Sequence, residues 1–131
     1  MTPHDVAKEM SALALIPGDL LRIRLVNTLE VTDPGAAAAA AAAAGATEFH
    51  LSEPNTTNLH THGLHVSGEG IADNVFEVVV PGAERQFEYP IHAAHTLGLM
   101  WYHPHAHGTA RGQMAEGMAA GAYTRSIFSS I

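Results

Sequence analysis

The sequence predicts an all-β fold, a sandwich or barrel, on three observations. Short runs rich in β-branched and aromatic residues recur through the chain. Turn-forming stretches such as SEPN, SGEG and PGAE separate them, and no credible pair of helices accompanies them. At 131 residues the chain has room for one domain, and a second independent core would not fit. A content of 47% hydrophobic and 15% charged residues is that of a globular chain rather than a disordered one.

From Met1 to Ile16 the stretch VAKEMSALAL has a helical tendency, which Pro17-Gly18-Asp19 stops. LLRIRLVNTLEV follows and is the clearest strand. Leu21, Ile23 and Leu25 alternate with Arg22 and Arg24, the period of a half-buried sheet, and the turn Asp33-Pro34-Gly35 closes it. Nine alanines, Ala36 to Ala44, are then bounded by Gly35 and Gly45. A packing helix is one reading of them; an expanded loop insertion without a chemical role is the reading adopted. Beyond it TEFHL, TTNLH, NVFEVVV, ERQFEYPI and LGLMWYH read as strands, and GMAAGAYTRSIFSSI offers a last one.

Composition narrows function by exclusion. The absence of cysteine removes disulfides, thiolate metal sites and a cysteine nucleophile. A formal charge of −7 argues against a nucleic-acid partner. The alanine run is too short and too weakly hydrophobic for a membrane span. MTPHDVAKEM lacks the basic and apolar regions of a signal peptide, so the chain as given is expected to be soluble, its compartment undetermined.

Ten histidines in so short a chain set the direction of the functional reading. Six fall into two clusters, His60, His62 and His65 in LHTHGLH, and His103, His105 and His107 in YHPHAHG. In a strand, residues two apart share a face at roughly 6.5–7 Å, so each H-x-H sends two imidazoles one way. Sheet pairing can then bring four together. Convergent neutral imidazoles select zinc, copper, iron or nickel over magnesium and calcium. Gly63 and Gly108 suit tight turns beside a crowded site, and Pro104 limits motion between two of the histidines.

These residues carry a resemblance. NLHTHGLHVS, DNVF, PGAERQFEYPI, WYHPHAHG and GQMAEGMAAG, preceded by PGDLLRIRLVN, resemble the N-terminal cupredoxin domain of multicopper oxidases, the laccase-like enzymes. The resemblance implies a cupredoxin-like Greek-key β-sandwich over residues 17–125, with residues 35–46 as the Ala-rich insertion. Residues 1–16 then form a divergent N-terminal segment and 126–131 a tail, and edge strands of the sandwich are expected to be incomplete. It also implies a trinuclear copper centre that reduces dioxygen to water. By its motifs His60 would bind the type 2 copper, and His62, His103 and His105 the type 3 coppers. Asp73, in IADNVF, resembles an acidic residue that assists proton delivery there; a plain turn carboxylate is the competing reading.

For the other chemistry-bearing residues structural roles are expected. His65 and His107 are expected beside the centre or on the surface, and His4, His50, His92 and His95 as exposed or ordinarily hydrogen-bonded. Trp101 and Tyr102 invite an electron-transfer reading, and Met100, Met114 and Met118 a soft copper site. Core packing is the simpler account of both groups.

The departures from the family matter equally. A complete multicopper oxidase also holds a type 1 copper on two histidines and a cysteine, and this chain has no cysteine. The motifs that complete the trinuclear centre are absent as well, so half of its ligands must come from a complementary cupredoxin domain or chain. The expectation is therefore a copper-binding domain, inactive alone, whose complete form couples one-electron oxidation of a small reducing substrate to dioxygen reduction. A non-catalytic copper-buffering module, a zinc hydrolase with a three-histidine site and an incomplete fragment of a larger oxidase are the competing readings.

Overall fold

A computed structural model describes residues 11–32, 35 and 55–126. Among the described residues the elements follow in the order β1 (Leu13–Leu15), β2 (Leu20–Val26), β3 (His60–His62), β4 (Glu84–Pro90), β5 (Gly98–His103), α1 (Ala110–Ala115) and β6 (Ala120–Thr124). They form two sheets. One has the order β1-β6-β5-β3 and the other pairs β2 with β4. All pairings are antiparallel except that of β1 with β6.

The predicted alternation in β2 holds. Leu21, Ile23 and Leu25 pack toward the core, while Arg22 and Arg24 face out to Glu88 and Glu84 of β4. Both ion pairs are exposed and contribute little to stability. Phe87 and Tyr89, inward on β4, are fully buried and stack against one another with 6.1 Å between ring centroids. They meet Leu15, Tyr102 and Ala122 from the other sheet, and this contact between two apolar sheet faces is the core of the sandwich.

Four sequence expectations are corrected. The described end of VAKEMSALAL is strand, not helix: Leu13–Leu15 pair in parallel with Ala122–Thr124, and the Tyr102 hydroxyl donates to the Ser11 carbonyl at 2.6 Å. Tertiary pairing outweighs a local preference worth only tenths of a kcal/mol per residue. NVFEVVV is not a strand. A turn at Val75 and Phe76 breaks it, and only Val79 bridges, to Thr57. TTNLH is strand only from His60 onward, preceded by that single bridge. LLRIRLVNTLEV is strand only as far as Val26; the helix described at Ala110–Ala115, where Thr109 begins it and Gln113 is buried, leaves the expectation of no helix pair standing among the described residues. The turn at Asp33-Pro34, the alanine run and TEFHL lie outside the described residues, as do His4 and His50. Among the described residues no helix is long and apolar enough to cross a membrane.

The pleat of the four-stranded sheet gives it two unlike faces. Leu13, Leu15, Met100, Tyr102, Ala120 and Ala122 belong to the core. Their neighbours point the other way and align in rows by register: Ala14, Tyr123 and Leu99, then Gly121, Trp101 and His62, then His60 and His103. These outward rows carry no charged side chain other than histidine.

Candidate metal centre

The third row is the candidate site. His60 and His103 are directly opposed on β3 and β5, and His62 lies two residues along β3 on the same face. One ring nitrogen from each of His60, His62 and His103 lies within 4.8 Å of the others, a spacing that suits ligands of a shared ion. The ring of His60 stands 5.2 Å from that of His103 and 5.6 Å from that of His62, centroid to centroid.

His105 follows β5, beyond Pro104, and is exposed. Its ring is 5.0 Å from His60 and 6.1 Å from His103, at the edge of the three-histidine group rather than within it. The structure therefore assembles three of the four expected ligands closely and places the fourth beside them.

Hydrogen bonds decide which nitrogens are available. His103 Nδ1 lies 2.8 Å from the Pro104 carbonyl, to which it can only donate. Its Nε2 is thereby left as a lone pair, buried and without a hydrogen-bond partner among the described residues. Burial pushes the His103 pKa down, with the neighbouring histidines adding to the effect and the Pro104 carbonyl opposing it. The neutral, ligating form is thus favoured. An unpartnered buried imidazole nitrogen facing two further imidazoles fits a transition metal such as copper.

Asp73 stands behind His60. Its Oδ2 is 2.7 Å from His60 Nδ1, and its Oδ1 accepts from the Thr61 backbone N–H at 2.8 Å. Partial burial pushes the Asp73 pKa up, but the bonds from His60 and Thr61 outweigh it and hold the carboxyl below its usual range. An ionised carboxylate can only accept a hydrogen bond, and it stands at hydrogen-bond distance from His60 Nδ1.

One contributor escaped the sequence reading. Asn58, 1% exposed, donates to the Val75 carbonyl at 2.7 Å and accepts from the His105 backbone N–H at 2.6 Å. It ties the His105 turn to the segment that carries Asp73, and its place inside NLHTHG was the available signal. His95, expected to be exposed or ordinarily hydrogen-bonded, is buried and hydrogen-bonded. Its Nδ1 donates to the Thr96 carbonyl and its Nε2 accepts the His65 backbone N–H, so neither nitrogen can ligate.

The remaining candidates take structural roles. The His65 ring lies 5.0 Å from that of His95, away from the metal cluster, and His92 and His107 are exposed. Trp101 stacks on His103 at 4.0 Å and leans on His62 at 5.1 Å, beside the candidate ligands as expected, but it lies on the outward face and is 39% exposed rather than in the core, where Tyr102 packs. Met118 is buried and Met100 packs against the core, whereas Met114 is half-buried and outside the core cluster.

Comparison with known proteins agrees with this fold. A family described as "Multicopper oxidase" matches residues 48–126. Among solved structures, the chain is similar to a multicopper oxidase from Campylobacter jejuni, described as a metallo-oxidase, at 24% identity and a TM-score of 0.59, covering 87% of this chain and 19% of that one. A laccase-like multi-copper oxidase from Ochrobactrum sp. matches at 20% identity and 0.59, over 88% and 20%. A multicopper oxidase from Aquifex aeolicus matches at 17% and 0.58, over 88% and 20%. At these identities the likeness is one of fold, and the chain spans about a fifth of the length of each of these structures.

Proposed function

This chain belongs to the multicopper oxidase family, and we propose that it is a copper-binding cupredoxin domain supplying half of the ligands of a trinuclear copper centre. The observation that carries the proposal is the convergence of His60, His62 and His103 from two H-x-H motifs, with His103 Nε2 buried and unpartnered. In this reading His60 holds the type 2 copper, and His62, His103 and His105 hold type 3 coppers. Bound copper would supply one-electron oxidation of a small reducing substrate and reduction of dioxygen to water.

The chain's own residues prepare the ligands. The Pro104 carbonyl turns His103 so that Nε2 faces the cluster. Trp101 covers one face of that ring and keeps water from it. The proton-relay role expected of Asp73 draws its support from the resemblance. Each of its oxygens is already held by a donor in β3, which supports a different part for it.

Three clustered imidazoles leave coordination positions on the outward side of the sheet. A complementary cupredoxin domain or chain bringing further imidazoles would approach there, across Leu99, Trp101 and Tyr123. Leu99 is 90% exposed, and all three side chains lie on the ligands' face. With no cysteine in the chain, a type 1 copper would also reside in that partner.

Copper stoichiometry and electron paramagnetic resonance of the copper-loaded chain test this reading. A spin-silent coupled pair supports an oxidase-type centre, and a lone tetragonal copper would turn the reading toward copper buffering. Added diphenol should produce no sustained oxygen uptake by the chain alone; copper-dependent turnover would contradict the claim that it is half a centre.

A further inference from the structure

We propose that Asp73 is a positioning residue that fixes the tautomer of His60, holding the proton on Nδ1 so that the Nε2 lone pair is the one offered to a metal. The inference rests on the copper-binding reading above and assigns Asp73 a part in ligand preparation rather than in proton delivery.

The geometry is that of a two-point clamp. Asp73 Oδ1 accepts from the Thr61 backbone N–H at 2.8 Å while Oδ2 meets His60 Nδ1 at 2.7 Å, so one carboxylate grips two consecutive residues of β3. Thr61 is a backbone partner, which fixes the plane of the carboxylate relative to the strand that carries His60. Asp73 is itself held: its N–H donates to the Ser67 carbonyl at 2.9 Å, and two residues on, the Val75 carbonyl accepts from Asn58. The Asp73 side chain is 11% exposed and that of His60 23%, so water competes weakly for the bond.

Which imidazole nitrogen carries the proton follows from the hydrogen bond the other can make. His103 obtains the same outcome from the Pro104 carbonyl, which no side-chain substitution can remove. For His60 the acceptor is a side chain, and its identity decides the tautomer. A turn carboxylate with no functional part would satisfy local backbone donors; this one reaches across thirteen residues to a ligand ring.

The substitution Asp73→Asn separates the alternatives. Asparagine Oδ1 can still accept the Thr61 N–H, which places its NH2 opposite His60 Nδ1. That nitrogen must then accept, moving the proton to Nε2 and removing the lone pair offered to the metal. Asp73→Glu retains a carboxylate acceptor and serves as the conservative rescue.

Long-range proton–nitrogen correlation spectra of the metal-free, histidine-labelled chain, taken above the ordinary histidine pKa, read the tautomer directly. The wild-type chain should show His60 protonated at Nδ1, Asp73→Asn should show it at Nε2, and Asp73→Glu should return it to Nδ1. Titration with copper(II) alone should show affinity about 10- to 100-fold weaker in Asp73→Asn, with recovery in Asp73→Glu. Loss of the negative charge by itself would weaken copper binding without moving the tautomer, so an unchanged tautomer in Asp73→Asn overturns the proposal. Should that variant fail to fold, the wild-type spectrum still decides, because a His60 protonated at Nε2 overturns it. A wild-type chain whose His60 follows residue 73 yet takes up no copper(II) upholds this inference and sinks the copper reading instead.

Discussion

A buried imidazole nitrogen without a hydrogen-bond partner costs about 1–3 kcal/mol, and His103 keeps one at Nε2. The Tyr89 hydroxyl is buried and has no hydrogen-bond partner among the described residues either, and burial raises its pKa well above the usual tyrosine range. The two differ in surroundings, since Tyr89 is a core residue of β4 and His103 faces two other imidazoles. Tyr89→Phe should therefore leave copper affinity unchanged and, by calorimetry, leave stability equal or raise it by about 1 kcal/mol. His103→Ala should abolish tight copper binding. Asn58→Ala should lower stability by about 2 kcal/mol, since it strands the Val75 carbonyl and the His105 N–H, and should weaken copper binding through the displaced His105 turn. At this scale the clustering of imidazoles was legible because H-x-H spacing needs only strand geometry, while the choice of candidate ligands came from the family resemblance. Asn58 was not legible, since its role depends on His105, 47 residues away, folding back onto it.

β3 is only three residues long, and its partner β5 holds it in the register that opposes His60 to His103. The turn after β3 makes this possible. Gly63 has φ +97°, a region L side chains rarely adopt, and a Cβ there would stand 3.1 Å from Met100 Cγ. Gly63→Ala should cost about 1–3 kcal/mol in denaturant unfolding and loosen the pairing of His62 with Trp101. β2, β4 and β5 were legible in sequence because apolar alternation or aromatic content marks them. β1 and α1 were not. Ala-rich VAKEMSALAL favours helix locally, and only pairing with β6 makes Leu13–Leu15 a strand. NVFEVVV misled in the other direction: β-branched content hid a local turn signal in Asn74, whose side chain accepts the Phe76 N–H and whose carbonyl accepts the Glu77 N–H, while the Asn58 amide holds the Val75 carbonyl from outside.

For the whole molecule, the sandwich buries one face of the four-stranded sheet and leaves the other largely exposed with the candidate ligands on it. Leu99, Trp101 and Tyr123 form an apolar surface continuous with the histidines, where a complementary domain would reach the open positions of a bound metal. Leu99→Glu should change the stability of the isolated chain by no more than about 0.5 kcal/mol, since the side chain is already solvated, while weakening association with that domain in sedimentation. The fold class was legible from strand and turn patterning. The two-faced sheet was not, because it depends on which strands become neighbours. The most direct test of the central claim is a copper(II) titration of the histidine-labelled chain followed by nuclear magnetic resonance. Paramagnetic copper should first erase the ring signals of His60, His62 and His103, then that of His105, while buried His95 persists. Uptake that leaves the first three signals intact, or no uptake at all, would contradict the account.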